Sequence, residues 1–302
     1  MSSNVQSIVC CLGDPVAGNP SQFLMQRAAA SQSLDWMFVT AEVPEEKIIE
    51  AFQGIRALRF SGVAFLPPHQ TAGCSLVDSV TEAALRSGHV RVARRDGNLW
   101  LGDDTLGAGI VELIKSHSEH NDAGVGDSSD PRVILVSGRP WLSHLIRLAL
   151  PATWNNSLFE LVQTPLPSKV SPTDSAVHNG DVRSNIDRMH EKESSASIHQ
   201  ISFDAALQLD RPIDTIIVDS TALCPTSKTF AKLNWTTNPT LVFVEPNARW
   251  ESSIAAMNIP HARIFRAIDV AAAKAVVNFN FWTGHHTELG FVRESLDEYC
   301  QW

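Results

Sequence analysis

Short apolar runs alternate with amphipathic segments along most of the chain. The runs at 7–12, 61–66, 215–218 and 240–244 have the length of buried strands, and 132–136 is continuously apolar, as in a parallel sheet covered on both faces. Helical spacing is found at 20–33, 44–58, 78–86, 105–115, 141–150, 248–257, 269–282 and 289–299. Strand and helix therefore alternate, which predicts an α/β fold with parallel sheets.

Two stretches interrupt this alternation. The segment 116–131 is rich in Ser, Asp, Gly and His, and it predicts a boundary between a first domain at 1–116 and a second at 130–267. The segment 165–197 is long, polar and poor in aliphatic residues, so we interpret it as a mobile insert. Because ligands of open α/β sheets bind at the carboxyl ends of strands, the loops after Leu12, Leu66, Val136 and Val218 are expected to face a cleft.

Composition narrows the class of protein. At about 150 residues per domain, 302 residues fit two domains. The 24 basic and 33 acidic residues give a net charge of −9, which argues against nucleic acid or an anionic membrane as the main partner. No apolar stretch is long enough to span a membrane. The five cysteines show no metal-ligand spacing, so we expect buried, reduced thiols in a cytoplasmic protein. The sequence leaves the oligomeric state open.

Four motifs, taken in order, resemble those of the shikimate dehydrogenase family. They are LGDPVAGNPSQFLMQRAAA, FSGVAFLPPHQ, GDDTLGAGIVELI and VVNFNFWTG. The resemblance implies a substrate-binding α/β domain at 1–116, completed by returning C-terminal helices at 268–302. It also implies a Rossmann-like nucleotide-binding domain at 130–267.

The reaction implied by the resemblance is the NADP-dependent, reversible reduction of 3-dehydroshikimate to shikimate. That reaction relies on a Lys and an Asp near the transferring hydroxyl, and here those positions fall on Gln70 and Leu106. Glutamine is no ordinary acid or base and leucine does not titrate at all. The candidate residues left for proton transfer are Gln70 and Asp104, the latter two positions before Leu106.

By the same resemblance, substrate-binding positions of the family fall on Asn19, Ser21, Arg91, Thr105 and Lys274. Three of these positions are altered, while Ser21 and Thr105 keep the residue types of the family. Three cations fall on substrate- or cofactor-binding positions of the family: Arg91, Lys274 and Arg139. If the fold brings them together, they form a pocket for a small anion; if it does not, they are solvated charges on separate surfaces. Ser21 and Thr105 are ligand contacts on one interpretation and plain helix caps on the other.

The cofactor positions depart from the family in a similar way. The glycine-rich loop would fall on Ser137, Gly138, Arg139 and Pro140. Arg139 places a long side chain where the backbone should approach the pyrophosphate, and Pro140 removes an amide donor. The Arg that binds the 2′-phosphate of NADP falls on Gln163, which carries no charge.

Histidines offer two weaker candidate sites. His69 and Asp104 flank the altered positions and form a displaced acid/base pair if they meet; otherwise His69 is an exposed loop residue. His285 and His286 follow the last motif, and a metal site there would need ligands from elsewhere. We therefore predict no metal site.

Three hypotheses about function follow. The first is a shikimate dehydrogenase-like protein that has lost the dehydrogenase machinery and binds a small anionic ligand in the interdomain cleft. The second is an active shikimate- or quinate-type dehydrogenase that uses unusual residues and NADP. The third is a scaffold protein whose surface, including the insert 165–197, carries the role.

Overall fold

The computed structural model describes residues 6–121, 132–154, 158–161, 199–219, 232–246, 252, 259 and 261–301. The strands are β1 Ser7–Gly13, β2 Trp36–Glu42, β3 Gly62–Phe65, β4 Ser79–Val80, β5 Val92–Asp96, β6 Leu99–Asp103, β7 Val133–Val136, β8 Leu158–Leu161, β9 His199–Ile201, β10 Ile213–Val218, β11 Trp235–Phe243 and β12 Arg263–Phe265. The α-helices are α1 Ser21–Ser31, α2 Ile48–Ala57, α3 Gln70–Leu76, α4 Glu82–Ser87, α5 Leu106–Asn121, α6 Pro140–Ala149, α7 Phe203–Ala206, α8 Ala267–Thr283 and α9 Leu289–Cys300.

The first sheet is six-stranded and mixed, with the order β2-β1-β3-β5-β6-β4. β1 pairs in parallel with β2 and β3, while β5 is antiparallel to both β3 and β6. Gly97, at a φ of 62°, turns the chain between β5 and β6.

The second sheet is also six-stranded, and all its strands are parallel in the order β12-β11-β10-β7-β8-β9. Numbered within this sheet, that is the 3-2-1-4-5-6 order of a Rossmann fold, read from the opposite edge. The order reverses between β7 and β10, so the carboxyl ends of these two strands mark the crevice where such sheets bind ligands. The predicted α/β fold with a Rossmann-like second half is confirmed.

The last two helices return to the first sheet. Val276, Phe279 and Trp282 of α8 pack in one buried cluster with Val9 of β1 and Phe38 of β2. Trp282 also donates its indole Nε1–H to the carbonyl oxygen of Ala93, at 3.0 Å. The return of the C-terminal helices to the first domain is confirmed.

One helix prediction is wrong. Residues 78–86 were expected to be helical, but Ser79–Val80 is a short strand beside β6 and only Glu82–Ser87 is helical. The Asp78 carboxylate accepts the Trp100 N–H at 2.7 Å, and the Thr81 hydroxyl accepts the Ala84 N–H and so caps the shorter helix. In both bonds a polar side chain takes a backbone N–H, and such bonds compete with the backbone hydrogen bonds of a helix. The helix therefore begins only after Thr81.

Three predictions fall on residues without a structural description. They are the insert at 165–197, the cofactor position Gln163 and the thiol Cys224. The predicted helix at 248–257 is described only at Ser252. Within the described part of the chain, no helix combines the length and apolar character needed to cross a membrane.

The thiols follow the prediction only in part. Cys10 and Cys11 are buried in β1, and burial raises their pKa values to about 11 and about 12, so both remain protonated at neutral pH. Cys300, at the end of α9, is exposed instead, because it lies beyond the buried face of that helix.

Candidate functional site

A chain of polar side chains lies where β3, β5 and β6 meet α3 and α5. Arg91 donates from Nε to Oδ1 of Asp104 at 2.8 Å and from Nη1 to Oε1 of Gln70 at 3.1 Å. The Asp104 side chain is fully buried, whereas 16% of the Arg91 side chain is exposed. A carboxylate buried this deeply needs a paired cation, and Arg91 supplies it. Both candidate residues for proton transfer are therefore tied to Arg91.

Asp104 also starts helix α5. Its Oδ1 accepts the backbone N–H of Leu106 at 3.1 Å, while its buried Oδ2 has no hydrogen-bond partner among the residues that the structure describes. Leu106 itself is buried and packs with Leu142 and Leu145 of α6. The position where the family resemblance expects a carboxylate is therefore part of an apolar core.

Helix α8 places Lys274 opposite the first turn of α5. A Cβ on Gly109 would lie only 2.6 Å from Cγ of Lys274, so the lysine stem passes directly over this glycine. One turn further along α8, Asn278 accepts a hydrogen bond from the Thr105 hydroxyl at 2.6 Å. The Thr105 side chain thus links two helices, and Asp104 takes the capping role considered for Thr105.

Lys274 has an unusual electrostatic environment. Burial, and then the positive charge of Arg91, lower the pKa of its amine to about 8, while Asp104 and Glu245 partly oppose this shift. A lysine with this pKa is partly neutral near physiological pH. The amine forms neither a hydrogen bond nor an ion pair with any described residue.

At the crevice of the parallel sheet, ion pairs hold the loop between β7 and α6 in place. Arg139, which precedes α6, donates to Asp219 at 2.7 Å and to Glu245 at 2.6 Å. Ser137 Oγ donates to the other oxygen of Asp219 at 2.8 Å and accepts the Arg139 N–H at 2.9 Å. Gly138 lies between them, and Pro140 is the first residue of α6. A guanidinium and two carboxylates therefore fill the end of the loop where a glycine-rich loop would hold a pyrophosphate.

The two clusters meet through His89 and Trp141. The ring centroids of His89 and Trp141 lie 5.7 Å apart, and the Arg139 guanidinium lies 5.6 Å from the Trp141 ring. Burial, followed by the nearby charge of Arg91, lowers the pKa of His89, so this histidine is neutral at pH 7. Arg91, Arg139 and Lys274 are thus brought together, although carboxylates accompany each of them.

Other predicted site residues lie outside this network. The Asn19 side chain accepts the Ser21 N–H at 2.9 Å, so Asn19 rather than Ser21 stabilises the start of α1. His69 is completely buried, and its Nε2 bonds to the Val43 carbonyl at 2.8 Å. His69 was expected to be either an exposed loop residue or the partner of Asp104; neither holds, because the residue is buried and its ring bonds to Val43 instead.

A cavity of about 690 Å³ lies away from these residues, where α5, β12 and the start of α9 meet. Arg293 in its wall already pairs with Asp269 at 2.6 Å and with Asp297. His285 and His286 are exposed, and among the described residues no group of three His, Cys, Asp or Glu side chains is placed to hold a metal.

Comparison with known proteins agrees with this architecture. Residues 11–92 match the family model for the shikimate dehydrogenase substrate binding domain. A shikimate dehydrogenase (NADP(+)) of Rubrobacter xylanophilus is 34% identical over 146 residues, which is 48% of this chain and 48% of that protein. Another from Geobacter metallireducens is 34% identical over 103 residues, 34% of this chain and 36% of that protein. The chain therefore spans about half of the first relative and about a third of the second.

Solved structures extend the likeness in fold to nearly the whole chain. Shikimate 5-dehydrogenase from Thermus thermophilus, in complex with NADP(H) and shikimate, has a TM-score of 0.63 and 15% identity, covering 97% of this chain and 100% of its own. The ligand-free 5-ketofructose reductase of a Gluconobacter species has a TM-score of 0.65 and 14% identity, covering 98% of this chain and 99% of its own.

The fold and the crevice define a two-domain α/β protein with a Rossmann-like half. Within that class, the first domain is similar in sequence to the substrate binding domain of shikimate dehydrogenases, and the fold of nearly the whole chain is similar to theirs.

Sequence reasoning missed the partners that define the site. Asp219, Glu245 and Asn278 are separated by long stretches of sequence from the residues that they contact. A signal did exist, because Asp219 directly follows β10 and Glu245 closely follows β11. Polar residues at the carboxyl ends of neighbouring parallel strands converge at one edge of the sheet.

Proposed function

We propose that this protein is a shikimate dehydrogenase-like protein that does not use NADP and instead binds a small organic anion in the cleft between its two halves. The observation that carries the proposal is Arg139, held between Asp219 and Glu245 at the crevice of the parallel sheet.

The described residues do not fit a dinucleotide. A pyrophosphate approaching this loop would meet two carboxylates, and the cation beside them is already paired. Pro140 offers no N–H at the start of α6, where a helix usually presents amide donors to phosphate. Gln70 and Leu106, at the positions of the family Lys and Asp, support the same interpretation.

The anion is proposed to bind between Arg91 and Lys274. Arg91 donates from Nε to Asp104 and from Nη1 to Gln70. Its third nitrogen, Nη2, has no hydrogen-bond acceptor among the described residues and is available to a ligand. Lys274 adds a second positive charge from the opposite helix when it is protonated. Two cations on facing elements suit a carboxylate, because charge-assisted hydrogen bonds are strong in a partly buried site.

Titration with NADPH, followed by its fluorescence, tests the first half of the proposal. We expect no saturable binding up to millimolar cofactor and no oxidation of shikimate with NADP. Micromolar cofactor binding with turnover would instead establish the protein as an active dehydrogenase with unusual residues.

Thermal unfolding with added ligand tests the second half. We expect shikimate or quinate to raise the melting temperature, and the uncharged methyl ester of shikimate to have little effect, since a ligand that binds only the folded state stabilises it. Arg91→Gln should abolish the shift, whereas Arg86→Gln, which alters an exposed pair with Glu82, should retain it. A search that finds no stabilising acid would favour the scaffold hypothesis.

A further inference from the structure

Two polar groups near the start of α5 have unused bonding capacity. Among the described residues, buried Asp104 Oδ2 has no hydrogen-bond partner, and the Lys274 amine forms no hydrogen bond or ion pair. Arg91 acts electrostatically on Lys274 and is bonded to Asp104. Buried polar groups normally find partners, so groups left open together indicate a place for a polar ligand.

The local packing fixes the position of Lys274. Its stem lies over Gly109 in the first turn of α5, and Asn278 on the same face of α8 is bonded to Thr105 at the start of α5. Two close contacts one helical turn apart hold α8 against this helix end. The lysine stem is thus held against the first turn of α5, and the charges of Asp104 and Arg91 both act on its amine.

The same surroundings make the amine nucleophilic. The charged groups that act on it are Arg91, Asp104 and Glu245, and with burial they set its pKa at about 8 instead of 10.5. At pH 7 roughly a tenth of the Lys274 amine is then neutral, on the order of 300 times more than for an ordinary lysine. A desolvated lysine beside another cation is an arrangement that favours covalent chemistry with carbonyl compounds.

We propose that Lys274 forms an imine with the carbonyl carbon of a small oxo acid whose carboxylate is bound by Arg91. This inference rests on the anion site proposed above. The neutral nitrogen of Lys274 bonds to the carbonyl carbon, and Asp104 Oδ2 carries a proton from that nitrogen to the former carbonyl oxygen. The hydroxyl oxygen of the carbinolamine then takes up one proton from solvent and leaves as water, so the product is a protonated imine. No oxidant or reductant takes part.

The test is to trap the imine with cyanoborohydride. The full-length protein is incubated at pH 7 with 3-dehydroshikimate or with pyruvate, and reduced in place. Trypsin cleaves after Lys274 only when this side chain is unmodified, so the adduct appears as a single peptide covering 267–293. We expect modification at Lys274 to exceed that at Lys47, an exposed lysine paired with Glu50, by about 100-fold or more at low conversion.

Variants separate chemistry from folding. Lys274→Met should lose the adduct and Lys47→Met should keep it, with thermal unfolding used to verify that both variants are folded. The rate of trapping in the wild type should rise with pH to a midpoint near 8. In Arg91→Gln this midpoint should move upward, because the cation that disfavours the protonated amine is removed.

The outcomes distinguish the inference from the proposed function. If shikimate stabilises the protein but neither oxo acid labels Lys274 above Lys47, the imine is overturned and the anion site stands. If neither shikimate nor the oxo acids bind, both fail. Selective labelling of Lys274 that is lost in Lys274→Met and competed by shikimate supports both.

Discussion

At the residue scale, the role of each charge depends on its partner. Arg91 neutralises a carboxylate that is completely buried, while Arg86 pairs with Glu82 at the protein surface. The first arrangement is costly to disrupt, since removal of one partner leaves a charge buried without compensation. The second contributes little, because water screens both charges.

Replacement of Arg91 tests this difference. We expect Arg91→Met to lower the free energy of unfolding by roughly 3 kcal/mol, since Asp104 is left buried and unpaired. Arg86→Met should lower it by less than about 1 kcal/mol. Urea denaturation followed by tryptophan fluorescence measures both values. A second change, Asp104→Asn, should recover part of the loss in the Arg91→Met background, and equal costs for the two single variants would contradict the assignment.

At the element scale, glycines set the distances between helices. A Cβ at Gly107 would collide with the backbone of Leu145 in α6, and one at Gly109 would collide with Lys274 in α8. The two glycines therefore let α5 approach both neighbours at its first turn. This is the end of α5 that carries Asp104 and Thr105, so close packing of the helices positions the site.

A pair of alanine substitutions tests this packing. Gly107→Ala should lower the free energy of unfolding by roughly 1–3 kcal/mol, because the helix backbones must move apart. Gly54→Ala, at an exposed position of α2 with open space around the new methyl group, should raise it by roughly 0.5–1 kcal/mol through higher helix propensity. Denaturation of both variants supplies the comparison. A stabilising Gly107→Ala would show that α5 and α6 are not held at this distance.

Most elements could be predicted from apolar periodicity, and the failures have local causes. The strand β1 and the helices α5, α8 and α9 lie where the pattern places them, because each buries one continuous apolar run or face. Helix α3 and strand β4 were missed, since both are short and their backbone bonds are completed by side chains and neighbouring strands. Such bonds leave no periodic signal in the sequence.

At the scale of the whole molecule, the chain closes its first domain with its last helices. The shared cluster takes Ala272, Ala275, Val276, Phe279 and Trp282 from α8 and Val292 and Leu296 from α9. The first sheet would expose the matching apolar surface without them. The first domain is therefore completed only when the C-terminal segment is present.

Truncation tests this dependence. A chain ending at Arg266 should not show a cooperative unfolding transition of the first domain, because the loss of Phe279 and Trp282 alone removes roughly 3–5 kcal/mol each. That is comparable to the total stability of a typical domain, about 5–15 kcal/mol. Circular dichroism during urea denaturation is the measurement. Adding a peptide covering 267–302 should restore the transition, and a cooperative transition without it would contradict the prediction.

The sequence alone predicts the α/β class, the Rossmann-like second half, the resemblance to shikimate dehydrogenases and the candidate residues Arg91, Asp104, Arg139 and Lys274. These follow from periodicity and from motifs within short stretches of chain. Only the tertiary structure decided which of these charges meet, because ion pairs such as that of Arg139 with Glu245 join residues 106 positions apart. The chemistry proposed for Lys274 depends on burial and on neighbouring charges, which the fold creates and no local pattern records.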